Sequence, residues 1–321
     1  MTATTEPVAT PPKHSAAGDL KTQRMPFGRW MRLVGWRHVV AVVMIVWALF
    51  PVFYVVTLSF SGGQTLTSAC SPDLSGFQAL SCLVPHKLDF SNYQTLLTSD
   101  QYPFVTWIKN TFILATVNSV AALLMGACAA YAFSRMRFSG RRLGLLGLML
   151  VQMFPAVLAI TAVYFLLDRI LDVFPTFGLG SIWGTLLIYL GGALGVNTFL
   201  MKGYFDTIPI DLDESARIDG AGHFRVFFDL IMRLSLPILV VVSFVSFQAT
   251  FNELPIAQVT LPDQQNTTAA VGLNGLVSNP QLQEWGLMAA GGVMMAIPLF
   301  ALFLLVQKSL VTGLTAGAVK G

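Results

Sequence analysis

Val39-Val-Ala-Val-Val-Met-Ile-Val46 is an uninterrupted apolar run near the start of the chain. The strands of a membrane barrel alternate apolar and polar residues, and this run does not alternate. Backbone groups inside a bilayer have no water to bond, so only helices and closed barrels can cross it. The run therefore predicts a membrane-spanning α-helix.

The composition of the whole chain extends this prediction beyond the first run. Of the 321 residues, 55% are hydrophobic and 11% are charged, and the mean hydropathy is +0.68. Soluble domains carry about 25% charged residues, so a single water-soluble core does not fit, and a disordered chain is excluded. The net charge of +3 is too small to indicate a nucleic-acid partner. The composition therefore indicates a polytopic membrane protein.

Six apolar runs are long enough to cross a bilayer, which takes about 20 residues. They cover residues 39–60, 105–133, 143–167, 182–201, 236–256 and 286–308. The sequence therefore predicts an all-α polytopic membrane protein with six transmembrane helices in a lipid bilayer.

These runs divide the chain into successive parts. We expect a disordered cytoplasmic N-terminal arm, a first transmembrane helix, an extracytoplasmic loop, a five-helix core and a cytoplasmic C-terminal tail, in that order. Their boundaries are 1–36, 37–60, 61–104, 105–308 and 309–321. The core contains a charged cytoplasmic connection, residues 207–235, which we call the elbow.

Basic residues are distributed unevenly between the connections. Sixteen of the 19 Lys and Arg residues lie in or next to the N-terminal arm, the second and fourth connections and the tail. The other side holds Lys87, Lys109 and Arg169. Because cytoplasmic segments carry the excess of Lys and Arg, we expect both termini in the cytoplasm.

Two cysteines, Cys70 and Cys82, lie in the long first loop. An oxidising exterior favours a disulfide between them, and the alternative is a pair of free thiols in a flexible loop.

The chain carries no sequence signature of catalysis or of a metal site. Motifs for a phosphate-binding loop, a zinc protease and a serine hydrolase are all missing. We therefore expect no enzyme, and the energy for transport must come from an ion or from another subunit. An ion-coupled secondary carrier buries charged residues within its spans, whereas Lys109 and Glu253 lie near the outer ends of theirs.

The elbow has the pattern of two helices separated by a break. Asp211 followed by Glu214 predicts a capping box at the start of the first helix. Gly220 and Gly222 predict its end. Pro237 is expected to open the fifth transmembrane helix.

The second helix of the elbow is aromatic. Phe224, Phe227, Phe228 and Ile231 follow helical spacing and predict one apolar stripe. Such a stripe fits a helix on the membrane surface or a coupling helix in a groove of a partner protein. Composition and spacing leave both interpretations open.

The stretch Glu214-Ser-Ala-x-x-Asp219-Gly220-Ala221, followed by an aromatic helix and Pro237, resembles the EAA loop of ABC importer permeases. Ser215 stands where that motif usually has Ala, and both residues are small. Residues 129–140 are similar to the corresponding cytoplasmic turn of sugar permeases. Three further segments, residues 152–158, 202–209 and 313–321, are similar to the smaller permease subunit of maltose/maltodextrin importers, the MalG type. The resemblance covers about 37–60 and 90–321.

This resemblance implies a type I ABC importer permease fold in the cytoplasmic membrane of a prokaryote. The implied partners are a second, MalF-like permease, a MalK-like ATPase homodimer and an extracytoplasmic sugar-binding protein. ATP and Mg would be bound by the ATPase subunits, and this chain would hold no cofactor. The implied substrate is a maltose/maltodextrin-type oligosaccharide, with trehalose or a glucoside as the alternative.

The resemblance also implies roles for three groups of residues, but it identifies no residue that contacts the sugar. The ATPase cleft would hold the elbow residues Glu214, Ser215, Ala216, Asp219, Gly220, Ala221, Gly222 and Phe224. The ATPase dimer would also contact the tail residues Gly313, Gly317, Lys320 and Gly321. The outer loop 258–284 would reach the binding protein through Asp263, Gln264, Asn266, Asn274 and Asn279. For this loop the alternative is a solvated connector.

Overall fold

A computed structural model describes residues 28, 31–62, 88–279 and 283–315 of the chain. All regular elements within these ranges are helical. The α-helices are α1 Trp36–Ser59, α2 Ser91–Thr98, α3 Phe104–Arg135, α4 Arg141–Met153, α5 Ala156–Val173, α6 Ile182–Phe205, α7 Ile210–Ile218, α8 His223–Leu234, α9 Leu236–Phe251, α10 Pro255–Thr260, α11 Ala269–Ser278 and α12 Trp285–Thr315. The middle of α8, Val226–Ile231, is π-helical.

Four of these helices, α1, α3, α6 and α12, are each long and apolar enough to cross a membrane. Two further crossings come from bent pairs. Helices α4 and α5 meet at 99°, and α8 and α9 meet at 80°. Counting each pair as one crossing gives the six expected from the sequence. The expected run 143–167 is not one straight helix, however, because it contains the first of these bends.

Proline accounts for both bends. Phe154 precedes Pro155 and is extended, with φ −75° and ψ 124°, because a residue before proline is pushed out of the helical region. Pro237 lies in the first turn of α9, as expected. It has no N–H to donate to the helix before it, and Ser235 forms the break.

Helix α3 is the centre of the second part of the chain, because it packs against both α6 and α9. Small residues allow the approach to α6. A Cβ atom at Gly126 would lie 2.6 Å from Cε of Met201 and 3.0 Å from Cβ of Asn197. Ala122 and Ala130, one turn on either side, are fully buried. Helix α3 therefore fixes the distance between the elbow, which lies at one of its ends, and the outer loop 258–284, which lies at the other.

Candidate functional site

The elbow begins with α7, and its start differs from the predicted capping box. Helix α7 begins at Ile210, with Pro209 in the N-cap position and no side-chain cap. The capping box of Asp211 and Glu214 is therefore wrong. The fixed φ of Pro209, −56°, starts the helix one residue earlier, so Asp211 lies inside the first turn. There its negative charge interacts favourably with the positive N-terminal end of the helix dipole.

The end of α7 is a Schellman motif. The N–H of Ala221 donates to the carbonyl of Ala216 at 2.9 Å, and the N–H of Gly220 donates to the carbonyl of Arg217 at 3.0 Å. Gly220 has φ +83°, a left-handed conformation that glycine adopts without strain. The prediction for Gly220 is confirmed. Gly222 has an ordinary extended φ and is instead the N-cap residue of α8.

One side of α7 is fastened to α3 by a buried ion pair. Nε of Arg135 lies 2.9 Å from Oδ2 of Asp213, and the two side chains are 4% and 3% exposed. Arg135 also donates through Nη2 to the carbonyl of Ile208 at 2.8 Å. The last residue of α3 therefore holds both the start of the elbow and α7.

The sequence of α7 indicates that Asp213 needs a basic partner, but it does not identify that partner. Asp213 lies three residues before Ala216, so both share one face of α7. Ala216 packs against a buried apolar cluster of α3, α6, α8 and α9. A carboxylate on such a face requires a basic partner. Arg135, at the end of the neighbouring helix, meets that need.

The apolar stripe of α8 is divided between two environments. Phe227 and Ile231 are buried in the core. Phe224 and Phe228 are exposed, and their ring centroids lie 4.5 Å apart.

The other side of the elbow is exposed and carries apolar groups. Ile218 is 86% exposed and Phe224 is 76% exposed. Glu214, Ser215, Asp219, Gly220 and Gly222 are also exposed, whereas Ala216 and Ala221 are partly buried against the core. We call Glu214, Ile218, Phe224 and Phe228 the elbow surface. Exposed apolar groups of this size on a charged connection indicate an interaction site.

The outer loop is a folded element and not a solvated connector. We call the end of α3 remote from α7 its outer end. There Nε1 of Trp107 donates to the carbonyl of Gln264 at 2.7 Å. Nδ2 of Asn110 donates to the carbonyls of Gln265 at 3.2 Å and Thr267 at 3.0 Å. Buried side chains of α3 therefore replace water as partners for the loop backbone.

The loop residues predicted to contact a binding protein face outward for the most part. Asp263, Gln264, Asn266 and Asn279 are exposed, and Asn274 is partly buried. Nδ2 of Asn274 donates to the hydroxyl of Ser278 at 3.1 Å within α11. The loop thus presents polar groups from a fixed backbone.

Glu253 lies at the break between α9 and α10, where three donors reach its carboxylate. They are the hydroxyl of Tyr189 at 2.6 Å and the N–H groups of Ile256 at 2.8 Å and Ala257 at 2.9 Å. This arrangement fastens the break to α6. A carboxylate with three such donors has a structural role.

A family of membrane transport proteins matches the part of the chain that contains the elbow and the outer loop. The model of the family described as "Binding-protein-dependent transport system inner membrane component" matches residues 119–315. The chain belongs to this family. The matched range includes the elbow, the buried ion pair and the outer loop.

Relatives in this family extend the likeness over most of the chain. A maltose/maltodextrin transport system permease protein MalG of Yersinia pestis is 38% identical over 300 residues, covering 92% of this chain and 96% of that protein. The MalG of Escherichia coli strain K12 is 36% identical, with coverages of 88% and 95%. A maltodextrin transport system permease protein MdxG of Bacillus subtilis is 40% identical, with coverages of 73% and 84%.

Solved structures show the same fold. A bacterial ABC transporter involved in the import of the acidic polysaccharide alginate contains a chain with a TM-score of 0.70 at 24% identity, covering 89% of this chain and 99% of that chain. A second structure, of a bacterial alginate ABC transporter in complex with an alginate pentasaccharide-bound periplasmic protein, gives a TM-score of 0.53 at 17% identity, covering 68% of this chain and 81% of that chain. The chain therefore has the all-α fold of an ABC importer permease. As a family member it is a membrane permease component and not an enzyme, since the ATPase is a separate subunit.

Several predictions concern residues outside the described ranges. They are the disulfide between Cys70 and Cys82 and the tail contacts of Gly317, Lys320 and Gly321. Most of the N-terminal arm 1–36 and the larger part of the loop 61–104 also lie outside. Helix α12 continues to Thr315, so Gly313 is helical and belongs to this helix.

Proposed function

We propose that this chain is the transmembrane permease subunit of an ATP-driven importer that passes maltose/maltodextrin-type oligosaccharides from a binding protein into the cytoplasm. The substrate class follows from the three permease relatives, which are 36% to 40% identical to this chain. The elbow carries the mechanism, because it is fixed on its inner side by Arg135 and Asp213 and carries exposed apolar groups on its outer side.

The elbow surface is the docking site for an ATPase subunit. Its apolar groups need a partner groove, and the exposed Glu214 adds a carboxylate for a basic or amide group. The other partners are a MalF-like second permease, a MalK-like ATPase homodimer and a sugar-binding protein at the outer loop. ATP and Mg are bound by the ATPase dimer, and this chain contributes no cofactor. The distribution of basic residues supports cytoplasmic termini.

Movement of the elbow reaches the membrane helices by two routes. Displacing α7 displaces the end of α3, because separating Arg135 from Asp213 would leave two unpaired buried charges. Displacing α8 acts on α9 through the bend at Ser235. Closure of the ATPase dimer would thus move two helices that pack against each other, and this opens and closes the path for the sugar.

Co-purification with the ATPase subunits tests this assignment. Phe224→Ala and Glu214→Ala should reduce the amount of bound ATPase at least tenfold and reduce sugar uptake to match, while the protein still inserts. Phe174→Ala is the matched control, since Phe174 is 63% exposed but lies on the outer connection between α5 and α6. Undiminished ATPase binding in both elbow variants would refute the docking role.

A further inference from the structure

A cavity of about 640 Å³ lies at the outer end of α3, between this helix, the outer loop and the start of α12. Its size is within the range of about 300–1,000 Å³ found for small-molecule sites. The polar and aromatic lining residues include Tyr102, Trp107, Gln258, Gln264, Thr267 and Glu284. The proposed mechanism of coupling does not use this cavity.

The lining indicates the chemistry of a ligand. Glu284 is the one lining residue with a formal charge, and the hydroxyl of Tyr102 donates to its Oε1 at 2.9 Å. Gln258 and Gln264 supply both donors and acceptors, as pairs of neighbouring hydroxyl groups require. Aromatic rings supply apolar surface beside them. This combination suits a neutral ligand that has many hydroxyl groups and apolar ring faces.

Thr267 gives an independent indication of a missing polar partner. Its side chain is 3% exposed, and within the described part of the chain its Oγ1 has no hydrogen-bond partner. Buried hydroxyl groups are normally satisfied, because an unpaired one loses its bonds to water. Thr267 lines the cavity, so a hydroxyl group of a ligand there can supply the partner.

The cavity is rigid on the side of α3. Trp107 is buried and its Nε1 holds the carbonyl of Gln264. Gly272 packs on the ring of Trp107 so closely that a Cβ atom would collide with it. A preformed site loses little conformational entropy when a ligand binds.

We propose that this cavity is a subsite for one end of a neutral gluco-oligosaccharide, which it holds as the sugar passes from the binding protein to the transport path. The assignment rests on the proposed function for its biological setting. It rests on the amide-rich and aromatic lining and on Thr267 for its chemistry. An acidic sugar should bind poorly, because Glu284 would repel its carboxylate.

A cavity-filling substitution gives a direct test. Gly275 lines the cavity from α11, and a Cβ atom there would meet nothing within 4 Å. Leucine favours a helix more than glycine does, so Gly275→Leu should fold. The matched control is Gly203→Leu, since Gly203 is also helical with open space but lies near the cytoplasmic end of α6. Thr267→Val removes the unpaired hydroxyl and keeps the shape.

Binding is measured on the full chain in lipid nanodiscs by saturation-transfer NMR and calorimetry, with maltotriose and a trisaccharide of uronic acids as probes. Wild-type chain and Gly203→Leu should bind maltotriose, and the acidic trisaccharide should bind at least tenfold more weakly. Gly275→Leu should lose at least tenfold in affinity, and Thr267→Val several-fold. The subsite would be overturned if the wild-type chain did not bind maltotriose, or if Gly275→Leu and Thr267→Val both bound it with wild-type affinity.

Uptake by the assembled transporter separates this proposal from the proposed function. If maltotriose is taken up but does not bind the isolated chain, the subsite is wrong and the transport assignment remains. If no neutral glucan is taken up while binding to the chain follows the expected order of variants, the subsite remains and the transport assignment is wrong.

Discussion

Arg135 and Asp213 form an ion pair across the interface of α3 and α7, with 2.9 Å between Nε and Oδ2 and almost no exposure of either side chain. Buried pairs of this kind cost desolvation free energy on both partners, and removing one partner leaves the other charge uncompensated. The pair is therefore better suited to fixing the position of the elbow than to adding net stability.

Loss of one partner should have a large effect. Asp213→Ala should reduce the free energy of unfolding by about 3–5 kcal/mol, because the charge of Arg135 is left buried. The measurement is the thermal unfolding midpoint of the purified protein. A double variant, Arg135→Met with Asp213→Leu, should recover most of the loss. Asp211→Ala is the matched control, since Asp211 is exposed on the same helix. An unchanged midpoint in Asp213→Ala would show that the ion pair does not contribute to the stability of the fold.

Gly220 and Gly222 should respond differently to the same substitution. Gly220→Ala places a Cβ atom at φ +83° and should cost about 1–2 kcal/mol, since the left-handed conformation is strained for alanine. Gly222→Ala should be nearly neutral, because its φ is −71°. Comparison of the two variants by thermal unfolding and ATPase co-purification tests the Schellman motif. Equal behaviour of the two would contradict it.

The packing of α3 against α6 predicts an overpacking effect at Gly126. In Gly126→Ala the new methyl group lies 3.0 Å from Cβ of Asn197, which cannot move away without its helix. The expected loss is about 1–3 kcal/mol of unfolding free energy, measured by denaturation of the purified protein. Gly203→Ala, on α6 with open space around the new methyl group, should show no loss. A stable Gly126→Ala would mean that the helices separate easily.

Tyr102 should give the outer end an alkaline pH dependence. Its burial first, and then the hydrogen bond and charge of Glu284, raise the pKa of its phenol from 10.0 to about 12. Because the pKa is higher in the folded protein, the stabilisation is complete below pH 10 and is lost as the pH rises through about 12.

The tyrosine absorbance near 295 nm, or a 13C label on tyrosine, follows this ionisation. Glu284→Gln should lower the pKa of Tyr102, because it removes the carboxylate charge. Tyr102→Phe should remove the late titration. A titration curve that is unchanged by Tyr102→Phe would refute the assignment.

Local patterns were sufficient to predict the crossings and the end of α7. An apolar run long enough to cross a bilayer predicts a transmembrane helix without information from other segments. Pro237 and Gly220 act through their own backbone geometry, so their neighbours in sequence suffice. The capping box was also predicted from neighbouring residues, but that prediction was wrong because Pro209 starts α7 before Asp211 can cap it.

Contacts between distant segments could not be predicted. The orientation of Asp213 depends on Arg135, and the fold of the outer loop depends on Trp107 and Asn110, all of which lie on α3. The spacing within each segment does not report such partners. The division of the α8 stripe depends on how α8 packs against the core, which the apolar pattern of α8 does not report.

The length of α7 between Asp213 and Gly220 corresponds to about two full helical turns. The ion pair fixes the rotation of the helix at one point, and the left-handed glycine fixes the direction in which the chain leaves it at the other. Insertion or deletion of one residue between them would rotate the exit by about 100° and turn Phe224 away from its present direction. Substitutions of exposed side chains in this stretch should therefore leave the direction of the exit unchanged, whereas a change in its length should uncouple the elbow even when every motif residue is kept.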